Sequence, residues 1–187
     1  MQNFYTVKKT IGGVEYTAQF NGIAEALRAV DESYIDGTEN TSVEKLYKYL
    51  FDCVIVSPKL SLDDFGKDKI GKTEKKQIGS KEYTAKFGGV LCALRAIDES
   101  YIDGTGNTST EKLTKYLLEN VIVQPENLSP DDFETMRDLK DVTDFAKEAM
   151  NGWGVMKELN EVAAFARGVM QGNFRDKKEQ KPAKERS

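Results

Sequence analysis

IGGVEYTAQFNGIAEALRAVDESYIDGTENTSVEKLYKYLFDCVIVSP, residues 11–58, returns as IGSKEYTAKFGGVLCALRAIDESYIDGTGNTSTEKLTKYLLENVIVQP, residues 78–125. Roughly two thirds of the aligned positions are identical without a gap, far beyond the likeness of unrelated segments, so the chain reads as a recent tandem duplication. Tyr16 falls on Tyr83 and Tyr34 on Tyr101.

Each copy begins with a period of two. Val14, Tyr16, Ala18 and Phe20 alternate with polar residues, as do Tyr83, Ala85 and Phe87, which is the pattern of a half-buried strand. Gly12-Gly13 and Gly79-Ser80 supply the tight turn to a preceding polar strand, 6–11 or 73–78, and a hairpin results. The period then becomes helical through Ile23, Ala26, Leu27, Val30 and Tyr34, and through Val90, Ala93, Leu94, Ile97 and Tyr101, a helix expected to pack on the hairpin. Thr41 with Glu44, and Thr108 with Glu111, have capping-box spacing and predict the start of a second helix. It runs through Leu46, Leu50 and Val54, or Leu113, Leu117 and Val121. The VIV before each proline either continues that helix or leaves it as extended chain.

A second repeat is nested further on: MRDLKDVTDFAKEAMNG, residues 136–152, resembles MKELNEVAAFARGVMQG, residues 156–172. These are sister helices, with stripes Leu139, Val142, Phe145, Ala146 and Leu159, Val162, Phe165, Ala166, and with Gly152 and Gly172 as stops. Ser129-Pro130-Asp131-Asp132 reads as a helix start. The first copy has the same signal at SLDDF, residues 61–65, but then passes into the charged linker GKDKIGK. The expected fold is α+β: a hairpin-helix-helix unit over 1–65, a linker over 66–72, a second unit over 73–130, two short sister helices over 131–172, and a disordered tail over 173–187 with little to bury. Each unit is expected to take one terminal helix, the helix around Phe165 completing the first.

Composition removes several functions. The formal net charge of -4 and pI near 5.1 give no general attraction for phosphates, so nucleic acid is not an expected partner. No apolar run approaches the roughly 20 residues of a membrane span, and no signal-peptide core stands near Met1, so a cytoplasmic protein is expected. Histidine is absent, which removes Ser-His-Asp triads, Cys-His pairs and the usual transition-metal ligands. Cys53 and Cys92 occupy unlike places in the two copies, so they make no disulfide framework or metal motif and are expected as small apolar fillers. The duplicated carboxylates Asp31, Glu32, Asp36 and Asp98, Glu99, Asp103 offer acid and base groups, but neighbours on a helix point about 100° apart and sit on its wet face. As an EF-hand, the loop from Asp103 has Thr108 where glycine is needed and Thr114 where the bidentate glutamate belongs. Neither a dinucleotide nor a P-loop fingerprint occurs. No enzyme activity, cofactor or metal is expected.

The order of elements, with EYTAKF ending a polar hairpin, the helices ALRAIDESY and EKLTKYLLENVIVQP, then LSPDDFETM and a helix ending FARGVMQGNFRDKK, resembles the small tail assembly chaperones of long-tailed bacteriophages of Gram-positive hosts. The likeness covers most of 73–178 and, without a terminal helix, 6–65. The duplicated unit and doubled last helix depart from the usual single-module form. The resemblance implies a non-enzymatic protein that binds the apolar tape-measure protein, helps recruit tail-tube subunits of the major tail protein, and tends to oligomerise. Such a role needs apolar helix faces that grip and release, and the grips expected are Phe145, Met150, Phe165 and Met170, with Trp153 as core cap or anchor. The same stripes also read as ordinary core. A tandem adaptor unrelated to phage tails, and a divalent-cation sensor built on the twin IDGT loops, remain open beside this reading.

Overall fold

A computed structural model describes residues 4–173. It is an α+β fold with two three-stranded antiparallel sheets. The tail expected over 173–187 lies, beyond Asn173, outside the described residues.

Alternation becomes sheet where it was read. β1 (Tyr5–Ile11) and β2 (Val14–Phe20) pair around Gly12-Gly13, and β4 (Thr73–Ile78) and β5 (Lys81–Lys86) around Gly79-Ser80. Gly12 and Gly13 have φ of 58° and 84°, the left-handed backbone that a two-residue hairpin turn requires. Register agrees between halves: Lys9 faces Tyr16 and Lys76 faces Tyr83. The exposed pairs Lys8–Glu15 and Lys75–Glu82 both close at 2.8 Å.

The helices are α1 (Ile23–Glu32), α2 (Val43–Tyr49), α3 (Val90–Glu99), α4 (Thr110–Tyr116), α5 (Met136–Met150) and α6 (Val155–Met170). Both VIV segments divide. Val54 and Val121 close a single π-type turn after α2 and α4, and the chain then extends as β3 (Ile55–Ser57) and β6 (Ile122–Gln124), which pair with β2 and β5. The wide turn lets the chain leave the helix and enter the sheet without a loop.

Two predicted caps move. Ser42 and Ser109, not the threonines before them, accept the amides of Lys45 and Lys112 at 3.0 and 3.2 Å. Thr41 and Thr108 are held instead in one-residue bridges to Tyr34 and Tyr101, which keeps them extended outside the helix. Ser129 forms a capping box with Asp132 but opens only a single 3-10 turn, because the backbone is extended again at Phe133, whose ring stacks on Tyr83; α5 starts later, behind Thr135. Residues 61–65 make the same one-turn box at Ser61 and Asp64.

Each sheet is covered by one sister helix. α6 lies on β1, β2 and the Leu50–Val54 turn, and α5 on β4, β5 and the Leu117–Val121 turn. Tyr16 and Tyr83 are both buried, at 2% and 4% exposure, with Glu158 of α6 near the first and Asp138 of α5 near the second. Lys9 lies 5.9 Å from the Phe165 ring and Lys76 lies 5.6 Å from the Phe145 ring. Each large side chain buried this way contributes about 1.5–3 kcal/mol.

The helix expected on each hairpin is not there. α1 turns its stripe to solvent, while α3 lays the matching stripe against the first unit, and the place over each sheet is taken by α6 or α5. The cysteines also differ from expectation: Cys53 and Cys92 are free and exposed, being carried on the outer sides of the π-type turn and of α3. Among the described residues no helix is long and apolar enough to cross a membrane.

Candidate protein-docking surface

α1 has three large apolar side chains on one side and too few neighbours to cover them. Ile23, Leu27 and Val30 follow each other at steps of four and three, so they form one stripe, and Tyr34, just past the helix in its bridge to Thr41, makes a fourth exposed apolar residue. All four are exposed, Leu27 to 62%. Single exposed leucines are ordinary, whereas apolar side chains exposed side by side on one helix face make that face a candidate docking surface.

α3 shows what such a stripe does when covered. Val90 and Leu94, which match Ile23 and Leu27, are buried in the first unit's core with Phe65 and Val155 nearby, and Leu94 is 0% exposed. Polar contacts fix the docking. Asp98 accepts hydrogen bonds from the Ser42 hydroxyl at 2.6 Å, the Val43 amide at 2.7 Å and the Glu44 amide at 3.3 Å, and so closes the start of α2. A carboxylate there satisfies amides that the helix leaves unpaired and complements its positive end. Arg95 donates from Nε and Nη2 to the two Glu44 oxygens at 2.8 and 3.0 Å, a bidentate fork. In the adjoining loop, Asn40 accepts the Gly106 amide at 3.0 Å and donates to the Ile102 carbonyl at 3.5 Å.

The residues proposed as grips from sequence lie elsewhere. Phe145, Phe165 and Met170 are buried within the two cores, so in this conformation they fill space under α5 and α6 and offer no free face. Met150 and Trp153 are half-buried and touch both cores, which makes them a seam between units. Trp153 has φ of 49° between two positive-φ glycines, and Lys72 sits over its ring at 4.6 Å, a cation–π contact. Of the duplicated carboxylates, Asp98 serves the junction just described, whereas Asp31, Glu32, Asp36, Glu99 and Asp103 face solvent. No group of three or more Cys, Asp or Glu is gathered for a metal among the described residues.

Electrostatics at the rest of the surface follow burial. Desolvation raises the phenol pKa of Tyr47, Tyr49, Tyr101 and Tyr116, so they stay neutral hydrogen-bond donors. Tyr47 donates to Asn160 Oδ1 at 2.9 Å and Tyr116 to the Cys92 carbonyl at 3.1 Å. Although Cys53 is exposed overall, partial desolvation of its sulfur, and then the Asp52 carboxylate, push the thiol up, which keeps it protonated and a poor nucleophile. An open trough of about 590 Å³ runs along α6, lined by Asn151, Lys157, Asn160 and Glu161.

No protein-family model, curated protein or solved structure matches the chain. The α1 surface was legible only in part from sequence. Its stripe is evident, but that α3 would spend the same stripe on the first unit, leaving α1 bare, depends on how two similar units pack.

Proposed function

We propose that the chain is a non-enzymatic assembly chaperone of the phage-tail type, which binds the tape-measure protein and helps recruit tail-tube subunits. The two halves are, in this reading, duplicated copies of one protein-gripping unit. The observation that carries it is the solvent-facing stripe on α1, whose equal on α3 is covered by protein. The resemblance read from EYTAKF to the helix ending FARGVMQG narrows the class to tail chaperones. Amphipathic helix faces of this kind suit transient hold on another helical chain, because apolar contact is non-directional and yields without breaking specific bonds.

Coexpression with the tape-measure protein of the same genome tests the reading. A soluble, co-purifying complex supports it, and a client that remains insoluble without bound chaperone counts against it. A tandem adaptor for some other partner shares the α1 stripe, and it would leave the tape-measure protein unbound in this experiment.

A further inference from the structure

We propose that the outer edge of β4 is a docking site separate from α1, and that it takes an acidic, extended segment of another protein as an added β-strand. Two observations meet there: the edge is open, and the hairpin that carries it is basic in a chain whose formal net charge is -4.

β4 is an edge strand, paired with β5 on one side only. Ile78 and Lys81 flank a two-residue turn, so Ile78, Lys76 and Glu74 exchange main-chain hydrogen bonds with β5, while the amides and carbonyls of Thr73, Lys75 and Gln77 point away from the sheet. These three residues are exposed, and no other main-chain hydrogen bond reaches them among the described residues. A row of alternating donors and acceptors is what a peptide strand satisfies when it adds to a sheet.

Charge then narrows the partner. Residues 72–86 carry five lysines and two glutamates, whereas the matching residues 5–19 of the first hairpin carry two lysines and one glutamate. Lys72, Lys81 and Lys86 stand where the first copy has Tyr5, Val14 and Gln19, and all five lysines are exposed. Lys67 and Lys69 of the linker add to them. Because side chains alternate along a strand, Lys72 and Lys76 border the edge on the side of the Trp153 and Phe145 rings, and Lys75 borders it on the other. Lys75 meets Glu82 at 2.8 Å and Lys72 meets Glu74 at 3.7 Å, surface pairs that contribute little and exchange readily for an incoming carboxylate. The same lysines keep two β4 edges from pairing with each other, since like charges set side by side repel. A nucleic acid answers the charge but leaves the row of amides and carbonyls unpaired, so a peptide fits better.

Titration of the full chain with a short synthetic strand of alternating glutamate and threonine tests the proposal. Trp153 fluorescence reports on it, because this is the only tryptophan and Lys72 lies 4.6 Å from its ring. Saturable binding is expected, with slowed amide exchange at Thr73, Lys75 and Gln77 and unchanged exchange at the matching Thr6, Lys8 and Thr10 of β1. A peptide of the same charge with proline at its centre loses the binding, and so does one with lysine in place of glutamate. In the protein, Gln77→Pro keeps every charge and removes one outward amide at an edge position, where proline is tolerated, and Lys75→Glu reverses a charge at an exposed site. Each is expected to weaken binding on the order of tenfold while circular dichroism stays that of the wild type. No binding, equal binding of the proline peptide or of a single-stranded oligonucleotide, or equal protection of β1 overturns the proposal.

Discussion

Asp98 accepts the hydroxyl of Ser42 at 2.6 Å across a sequence separation of 56, so a carboxylate from α3 in the second unit closes the start of α2 in the first. Two further amide bonds to Asp98 make it a cap supplied from another unit, where most helices cap themselves.

Asp98→Ala is therefore expected to cost about 1–2 kcal/mol of unfolding free energy, the range for loss of a helix cap. Asp31→Ala, at the matching place on α1, where the carboxylate faces solvent, is expected to change stability by less than about 0.5 kcal/mol. Urea denaturation of both variants checks this, and equal costs would mean that Asp98 owes nothing to Ser42.

Gly152 stands at the seam between the two units, with φ of +60° and with the Phe87 ring 2.8 Å from where a Cβ would lie. Gly152→Ala is expected to destabilise by about 2–4 kcal/mol, joining left-handed backbone strain to a clash with a fully buried ring. Gly13→Ala, with φ of +84° and open space around it, carries only the strain and is expected near 1 kcal/mol. Thermal melting ranks the pair, and a Gly13 variant as damaged as the Gly152 variant would remove the packing argument.

These two sites mark where the sequence was readable and where it was not. The hairpins, helices and sister stripes follow from local periodicity, but the helix start read at Ser129 is a single 3-10 turn and α5 begins only at Met136. Caps at Ser42 and Ser109 were displaced by one residue because the Tyr34 and Tyr101 bridges compete for the threonines, a contact that periodicity does not encode. Phe145 and Phe165 have the same spacing whether they face a core or a partner, so their burial had to come from packing. The unequal fates of Leu27 and Leu94 are harder still, since the same ALRA core of two similar helices is exposed in one and buried in the other according to which neighbour the chain brings to it.

Removing α6 by ending the chain at Gly152 is expected to strip the first core while leaving the second sheet covered by α5. Hydrogen exchange then speeds in β1 and β2, where α6 lies on the sheet, and changes little in β4 and β5. Unchanged protection across β1 and β2 would show that α6 is not what completes the first unit.

Acid and alkali are expected to weaken the fold through different groups, with a broad plateau between them in a chain that has no histidine. Hydrogen bonds from Ser61 hold the Asp64 carboxyl below its ordinary value of 3.8, those from Ser129 do the same for Asp132, and the Lys140 ammonium does so for Asp144. A depressed folded value means stability fully present above 3.8 and lost as pH falls through the folded values. The buried phenols run the other way. Desolvation raises Tyr16 and Tyr83 above 10.0, so their contribution is intact below that pH and lost as pH rises through the folded values. Urea midpoints measured across pH should fall at both ends. Asp64→Asn with Asp132→Asn removes the titrating groups and should flatten the acid limb and leave the alkaline limb in place, whereas an acid limb unmoved by both substitutions would assign it to other carboxylates.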